Sequence, residues 1–274
     1  MNKINTAILN KKAKAIRKDI IDICVRNQAG HIAPSFSTVE ILTVLYYGIM
    51  NYQKNNPEWE DRDRLVLSKA HGCYGLFAIL SDIGVIPKKE WGNFYTRSGK
   101  LSGCVERKLC YGLEVGCGSL GHGLPIAVGI AYGAKKQKKK YHTFCLTGDG
   151  ELQEGSNWEA LQFAVKHKVN NLTIIIDANR LQAMDFLANI LDRKDYEIIN
   201  RLKGFGLHPE VCSGHCVAGL FERLKKKPSK NVPRVIVAKT IKGYGLKCME
   251  NVPKFHYRVP TGEELDAEDL YGQS

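Results

Sequence analysis

Two polar residues stand close behind runs of apolar and β-branched residues. Asp149 follows a predicted strand at 141–147, and Asn179 follows a predicted strand at 171–177, 30 residues later in the chain. Ligands of open parallel sheets bind beyond the carboxyl ends of the strands, so one strand–helix–strand unit is expected to bring these side chains together. Carboxylate and amide oxygens suit Mg²⁺ or Ca²⁺, and magnesium commonly takes further ligands from phosphate.

Glycines on both sides of Asp149 add a second expectation. Gly148 and Gly150 allow backbone N–H groups to approach an anion closely, and the helix that follows offers its positive end. With the metal ligands, they predict a magnesium diphosphate site. The triplet alone is equally typical of a tight turn. GSLGHG at 118–123 differs from the GxGxxG pattern of dinucleotide folds and is also consistent with a glycine-rich helix start.

Helices and strands must position these residues, and their pattern changes along the chain. The first half is predicted to be mainly helical, and the second half alternates between strands and helices. The predicted elements of the first half are a helix over 10–28 that Gly30 stops, a helix over 39–50 that Ser37 or Thr38 caps, a strand at 62–68, a helix at 71–84, and a loop-rich stretch from Pro87 to Gly118.

The second half predicts the fold class. A glycine-rich turn leads into a helix of small residues, after which strand, turn, helix and strand follow up to Asp177, with two helices and a strand at 233–240 beyond. Such alternation is typical of right-handed βαβ units. We therefore expect an α/β fold with a doubly wound, mostly parallel sheet and helices on both faces. Residues 1–274 are expected to form one domain with a C-terminal arm from about Gly243.

One long segment carries a family resemblance. GDGELQEGSNWEALQFAVKHKVNNLTIIIDANRLQ at 148–182 resembles the thiamine-diphosphate motif of transketolases, and most of the chain is similar to the N-terminal, diphosphate-binding domain of that family. GHIAPSFS, VLSKAHG, GSLGHG, AKTIKGYG and the later His256 occur in the family's order. The resemblance implies thiamine diphosphate and Mg²⁺ (or Ca²⁺) as cofactors.

The resemblance also implies roles for individual residues. The expected metal ligands are Asp149, Asn179 and the backbone carbonyl of Leu181. Contacts to the cofactor are expected from Gly118, Leu120 near the thiazolium ring, Gly148, Gly150, and the diphosphate-binding His71 and His256. His31 is expected to face the donor sugar, with His31, His71 and Glu154 in the catalytic set. Glu154, also expected near the cofactor, and Glu159 match acids that link active sites across a dimer interface.

Three positions depart from the family pattern. Cys104, in SGKLSGCVERK, lies where the family usually has the histidine of a Gly-His-Pro segment that contacts cofactor and donor. His122 stands where glutamine is common, and SGHC at 213–216 replaces a usual Asp-Gly-His-Asp. These departures concern the donor substrate more than the cofactor.

The family resemblance also predicts a partner. Transketolases carry a catalytic glutamate and the acceptor-phosphate groups on a second, pyrimidine-binding domain, which these 274 residues do not contain. The expected partner is a C-terminal pyrimidine-binding transketolase subunit, in an α2β2 assembly that moves a two-carbon ketol unit from a sugar donor to an aldehyde acceptor. The alternatives are an enzyme that uses a 2-oxo acid or an unusual sugar as donor, and a non-catalytic scaffold protein.

Composition bears on the possible partners, the cellular location and zinc binding. Lys and Arg number 40 against 28 Asp and Glu, a net charge of +12, but no aromatic-interleaved basic stripe or nucleic-acid motif accompanies it, so no nucleic-acid partner is expected. No apolar stretch approaches the roughly 20 residues of a spanning helix, and no membrane partner is expected. Nine scattered cysteines, an odd number, predict free thiols. The N-terminal residues show no secretory signal pattern, so a cytoplasmic protein is expected. CSGHC at 212–216 lacks a second ligand pair, so no zinc is predicted.

Overall fold

Five parallel strands form the central sheet of the structure, a computed structural model that describes residues 6–183, 185–191, 194–226 and 231–266. The sheet has the order β1-β2-β3-β7-β6, and every neighbouring pair in it is parallel. Its strands are β1 (Arg64–Leu67), β2 (Thr143–Gly148), β3 (Leu172–Ala178), β6 (Pro209–Ser213) and β7 (Arg234–Lys239), and an antiparallel pair consists of β4 (Leu181–Gln182) and β5 (Asp185–Phe186).

Helices cover this sheet. They are α1 (Thr6–Asn27), α2 (Ile32–Phe36), α3 (Val39–Val44), α4 (Cys73–Asp82), α5 (Lys88–Gly92), α6 (Gly123–Lys136), α7 (Gly155–Lys166), α8 (Leu187–Ile190), α9 (Asp195–Gly204), α10 (Val217–Leu224) and α11 (Gly262–Asp266). Every residue of β3 is buried, which means that both of its faces are covered. The predicted α/β fold with a parallel sheet is confirmed. β6 was not predicted, because its sequence PEVCS begins with proline and carries little apolar alternation.

The buried residues of α1 follow the predicted apolar stripe, but the predicted cap at the start of α3 does not form. Ile16, Ile20 and Cys24 are buried on α1, as its spacing indicates. Thr38 precedes α3 without a side-chain cap, since its hydroxyl donates to the carbonyl of Ser35 instead. The predicted helix over 39–50 is α3 followed by a π-helical turn at Leu45–Ile49.

The segment after β7 returns across the N-terminal helices. Gly243 has a left-handed backbone (φ 83°), and its N–H donates to the carbonyl of Ala33 over 3.1 Å. A short 3-10 helix at Pro253–His256 follows. The predicted C-terminal arm from about 243 extends to residues 267–274, which lie outside the described residues. Among the helices that the structure describes, none has the length and apolarity to cross a membrane.

Candidate functional site

The carboxyl ends of β2 and β3 bring the two predicted metal ligands together. Gly148 pairs with Asp177 in the parallel register, so the residues that follow these strands share one edge of the sheet. Asp149 is 1% exposed, and its carboxylate accepts N–H groups from Gly150 (2.9 Å) and Arg180 (2.7 Å). Asn179 is also buried, with its side-chain oxygen accepting the N–H of Leu181 over 3.0 Å. The structure thus places Asp149, Asn179 and Leu181 in one turn region.

A buried ion pair lies beside this turn. The Lys69 ammonium and the Asp177 carboxylate form an ion pair inside the protein, and Asp177 also accepts hydroxyl groups from Ser37 (2.6 Å) and Thr240. Burial opposes ionisation of Asp177, but Lys69 and these hydrogen bonds outweigh it and lower the pKa of the carboxyl group. Asp177 therefore holds three separate segments, those of Ser37, Lys69 and Thr240, against the end of β3.

The carboxylate of Asp149, unlike that of Asp177, lies in an environment that disfavours its charge. Among the described residues it forms no ion pair, and burial, followed by repulsion from Asp177, raises the pKa of Asp149 to about 7. A buried carboxylate is stable as an anion when it is paired or binds a metal. A divalent cation beside Asp149 would supply this missing charge, and Mg²⁺ takes oxygen ligands such as Asp149, Asn179 and a backbone carbonyl. The residues present therefore fit a hard divalent cation.

Three predicted histidines form a cluster on the solvent side of this region. The ring centroids of His31 and His71 are 5.5 Å apart, those of His31 and His256 are 5.2 Å apart, and those of His71 and His256 are 5.4 Å apart. His31 has a left-handed backbone (φ 58°) at the start of α2, and its Nδ1 is buried without a hydrogen-bond partner. Such an orphaned polar atom is uncommon and is consistent with a ligand contact.

Burial, and after it the charge of nearby lysines, keeps these imidazoles neutral. Burial, then Lys242 and Lys69, lowers the pKa of His31 to about 4. The pKa of His256 falls to about 3 through burial and then Lys242, whose ammonium donates to its Nδ1 over 2.7 Å. Burial, followed by the charge of Lys69, also takes the pKa of His71 well below its usual value. At neutral pH the three rings are therefore uncharged and able to donate or accept hydrogen bonds.

Lys242 itself is 2% exposed. Burial and the neighbouring Lys69 lower the pKa of Lys242 to about 8, in spite of the carboxylates of Asp177 and Asp149. Two buried ammonium groups beside neutral histidines form a site suited to an anion such as a diphosphate. The motifs VLSKAHG and AKTIKGYG contain both lysines, but a lysine in a loop is normally exposed, so the sequence predicts a role for neither.

The glycine-rich loop is tied to this site by Glu151. The buried Glu151 carboxylate accepts the N–H groups of Gly121 (3.0 Å) and Gly148 (3.1 Å) and the Ser68 hydroxyl. Gly121 has a left-handed backbone (φ 82°), and a Cβ there would lie 2.5 Å from that of Glu154. Neighbouring Gly118 is exposed and Leu120 is half-buried. The predicted cofactor contacts of Gly118 and Leu120 remain predictions.

The two glycines around Asp149 differ in their surroundings. The Gly148 N–H bonds to Glu151 and the Gly150 N–H bonds to Asp149, so the prediction that they face an anion stays a prediction. At Gly150 a Cβ would lie 2.7 Å from the Gln182 side chain, whereas at Gly148 it would have ordinary contacts. Of these two glycines, only Gly150 lies so close to another side chain that any larger residue would clash with it.

The remaining residues singled out by the sequence differ in their exposure. Glu154 is exposed at the N-cap of α7, and Glu159 is exposed one turn further along this helix. His122 is exposed at the start of α6, and Cys104 is half-buried. In the CSGHC motif, His215 Nδ1 contacts Glu40 over 2.9 Å, so this histidine belongs to a buried polar network.

Comparisons with known proteins identify the family of this chain. A family model described as "Transketolase, thiamine diphosphate binding domain" matches residues 8–270. A protein of Actinobacillus succinogenes that is named as one subunit of an apulose-4-phosphate transketolase is 39% identical over 260 residues, which cover 94% of this chain and 93% of that protein. The transketolase of Homo sapiens is 36% identical over 269 residues, which cover 97% of this chain and 42% of that protein.

Solved structures show the same fold. The transketolase from Campylobacter jejuni superposes with a TM-score of 0.84 and 28% identity, over 95% of this chain and 42% of that chain. The transketolase from Leishmania mexicana gives a TM-score of 0.84 and 26% identity, over 94% of this chain and 40% of that chain. The chain thus spans well under half of the full-length relatives but nearly all of the relative from Actinobacillus succinogenes.

Proposed function

The chain belongs to the transketolase family, as its thiamine-diphosphate-binding domain, and on that premise we propose that it is the N-terminal subunit of a split transketolase-like enzyme. The observation that carries the proposal is the meeting of Asp149 and Asn179 at the ends of β2 and β3, below a cluster of neutral histidines and buried lysines. The reaction is the transfer of a two-carbon ketol unit from a ketose donor to an aldehyde acceptor.

Named residues would hold the cofactor. Asp149, Asn179 and the Leu181 carbonyl would bind Mg²⁺. The diphosphate would lie against Gly150, His71 and His256, and Lys242 would hold His256 in place. Gly118 and Gly148 would also contact the cofactor, and Leu120 would lie near its thiazolium ring. When bound, thiamine diphosphate would supply a nucleophilic carbon for the donor's ketone and an electron sink for the charge left by cleavage of the adjacent carbon–carbon bond.

The histidines would manage protons at the donor. His31 and His71 are neutral at pH 7, so either ring has a free acceptor nitrogen for a hydroxyl proton. When the donor breaks between C2 and C3, the C3 hydroxyl gives up its proton and becomes the carbonyl of the leaving aldehyde or ketone. The unpartnered Nδ1 of His31 would take this proton and return it to the acceptor's carbonyl oxygen.

The partner proposal draws on the naming of relatives. Two relatives that the chain covers at 93% and 91% of their length are named as single subunits of a transketolase. The partner would be a C-terminal, pyrimidine-binding transketolase subunit, in an α2β2 assembly. Exposed Glu154 and Glu159 on α7 would face another active site across the interface. The proposed location is the cytoplasm, where cysteines persist in their reduced form.

The donor is proposed to be an unusual ketose phosphate. Cys104 stands where the family's histidine contacts the donor, and the same two relatives are named for apulose-4-phosphate transketolase. Apulose-4-phosphate is therefore the first donor to test. A 2-oxo acid donor is the second candidate, because the thiol of Cys104 replaces a histidine that hydrogen-bonds to the hydroxyl groups of a sugar donor.

A donor screen tests this function. The chain is co-expressed with the pyrimidine-domain protein, supplied with thiamine diphosphate and Mg²⁺, and assayed with apulose-4-phosphate, xylulose 5-phosphate and 3-hydroxypyruvate against an aldehyde acceptor. We expect ketol transfer from apulose-4-phosphate and a loss of turnover in His31→Ala. Efficient use of xylulose 5-phosphate would contradict the unusual donor, and no transfer from any donor would favour the scaffold alternative.

A further inference from the structure

Two tyrosines meet beside the histidine cluster. Tyr95 lies in the loop after α5, and Tyr257 directly follows His256; their hydroxyl oxygens are 2.5 Å apart. The Tyr257 ring packs edge-on against His31, with 4.6 Å between ring centroids. The two tyrosines are 39% and 50% exposed, so their bridge lies where the cluster opens to solvent.

The chain makes room for this tyrosine pair (Tyr95 and Tyr257) with glycines. A Cβ at Gly103 would lie 2.9 Å from Cε2 of Tyr95, and one at Gly30 would lie 2.7 Å from Cδ2 of Tyr257 and clash with its carbonyl oxygen. Tyr95 also has a left-handed backbone (φ 61°), which is unfavourable for a bulky residue. The bridge is therefore held in place at a conformational cost, which is typical of functional positions.

Unpartnered polar atoms lie next to the tyrosine pair. Tyr74 is fully buried, and its hydroxyl has no hydrogen-bond partner in the structure, like the Nδ1 of His31. This hydroxyl lies 4.0 Å from the Cβ position of Gly103, the residue that packs under Tyr95 and precedes Cys104. Buried polar groups are nearly always satisfied, so a hydroxyl-rich ligand at this place would complete them.

We propose that Tyr95 and Tyr257 are specificity-determining residues that bind the hydroxyl groups of the donor ketose beyond C2, beside Cys104. This inference rests on the proposed function. His31 faces the reacting carbons, and the tyrosine pair on its solvent side meets the rest of the sugar chain. Each phenol would exchange its bond to the other tyrosine for a bond to a donor hydroxyl. The thiol of Cys104 is a weak hydrogen-bond donor, so the two phenols would form the hydrogen bonds that recognise the donor's hydroxyl groups.

Phenylalanine variants test this inference in the reconstituted complex with partner, thiamine diphosphate and Mg²⁺. Tyr257→Phe and Tyr95→Phe keep both rings and remove one hydroxyl each, and Tyr196→Phe, on the exposed face of α9, is the matched control. The donors are apulose-4-phosphate, xylulose 5-phosphate and 3-hydroxypyruvate. The last delivers the same two-carbon unit by losing its carboxylate as CO₂, but it has no carbon chain of hydroxyls beyond C2.

We expect each Phe variant to lower kcat/KM for a ketose phosphate about threefold to tenfold, mainly through KM, the range for one lost hydrogen bond. Turnover of 3-hydroxypyruvate should stay unchanged. A second readout needs no turnover: the Kd of apulose-4-phosphate whose ketone has been reduced to an alcohol, which keeps the other hydroxyls, should rise by the same factor in calorimetry. Tyr196→Phe should change neither quantity.

Several results would overturn the inference while leaving the function in place. These are equal losses with ketose and 3-hydroxypyruvate, unchanged KM and Kd in both Phe variants, or a wild-type complex that uses 3-hydroxypyruvate alone. Equal losses would assign the pair a purely structural role. A wild-type complex that turns over none of the donors would instead contradict the proposed function, and this inference with it.

Discussion

Arg17→Met should destabilise the protein strongly, because Arg17 neutralises a buried acid. Glu40 is 4% exposed, and the Arg17 guanidinium binds both of its carboxylate oxygens. Arg17 also donates to the carbonyls of Phe36 (3.1 Å) and Tyr244 (2.9 Å). Removing one partner of a buried ion pair costs about 3–5 kcal/mol of unfolding free energy, since it leaves an uncompensated charge.

The same network connects to the candidate site. The His215 ring stacks on Tyr244 with 3.6 Å between centroids, and its Nε2 accepts the N–H of Ile241 over 2.8 Å, so its Nδ1 carries the hydrogen that Glu40 accepts. Arg17 and Glu40 thereby fix the turn that carries Lys242. A loosened turn should also weaken cofactor binding.

Urea unfolding at pH 7 measures this loss. The double variant Arg17→Met/Glu40→Gln should regain about 2 kcal/mol relative to Arg17→Met, because its buried residue is no longer charged. A loss below about 1 kcal/mol in the single variant, or a double variant less stable than the single one, would refute the charge-pairing explanation.

The pH dependence gives an independent check. Burial opposes ionisation of Glu40, but Arg17 outweighs it and lowers the pKa of Glu40 below its usual value of 4.5. In the wild type this group therefore adds stability above pH 4.5, which is lost as the pH falls through its lowered pKa. In Arg17→Met, burial should raise the pKa of Glu40 instead. Lowering the pH then protonates Glu40 and removes the free-energy cost of its buried charge. The stability gap between wild type and Arg17→Met should narrow from pH 7 to about pH 4.5, and a constant gap would contradict this.

Four further substitutions have contrasting expected outcomes. Gly123→Ala should cost about 1–3 kcal/mol in urea unfolding, because its Cβ would lie 2.6 Å from Cα of Ser68, whereas Gly129→Ala, in open space on the same helix, should stabilise by about 0.5–1 kcal/mol; equal effects would contradict this. Glu151→Gln should cost about 1–3 kcal/mol by the same assay, since a single amide oxygen cannot replace a carboxylate that accepts two backbone N–H groups and the Ser68 hydroxyl; an unchanged midpoint would contradict this. Cys104→His should raise kcat/KM for xylulose 5-phosphate relative to apulose-4-phosphate, and an unchanged ratio in steady-state assays would argue against a donor role for this position.

The sequence predicts the parts of the site that depend on strand order. Asp149 and Asn179 meet because β2 and β3 are adjacent and parallel, and the apolar runs in the sequence indicate both strands. The stripe on α1 is similarly local, since its buried residues recur with the helical period. The order of the transketolase motifs extends this prediction to the family and to the histidines.

Long-range polar contacts could not be predicted in this way. Asp177 belongs to an apolar strand in the sequence, and its ion pair with Lys69 joins residues 108 positions apart. Lys242 becomes buried only when the segment after β7 folds over α2. The hydroxyl of Ser37, predicted as a helix cap, bonds instead to Asp177, because tertiary contacts offer it a charged acceptor.

Calorimetric titration tests the central claim, that the turn after β2 and β3 binds the cofactor through a metal. Thiamine diphosphate with Mg²⁺ is titrated into the chain alone and into its complex with the pyrimidine-domain protein, with Asp149→Asn and, as matched control, Asp185→Asn, an exposed acid on the neighbouring β5. We expect binding that tightens with the partner, falls at least about 100-fold in Asp149→Asn, and is unchanged in Asp185→Asn. Wild-type affinity in Asp149→Asn, or no binding by the wild-type complex, would contradict the account.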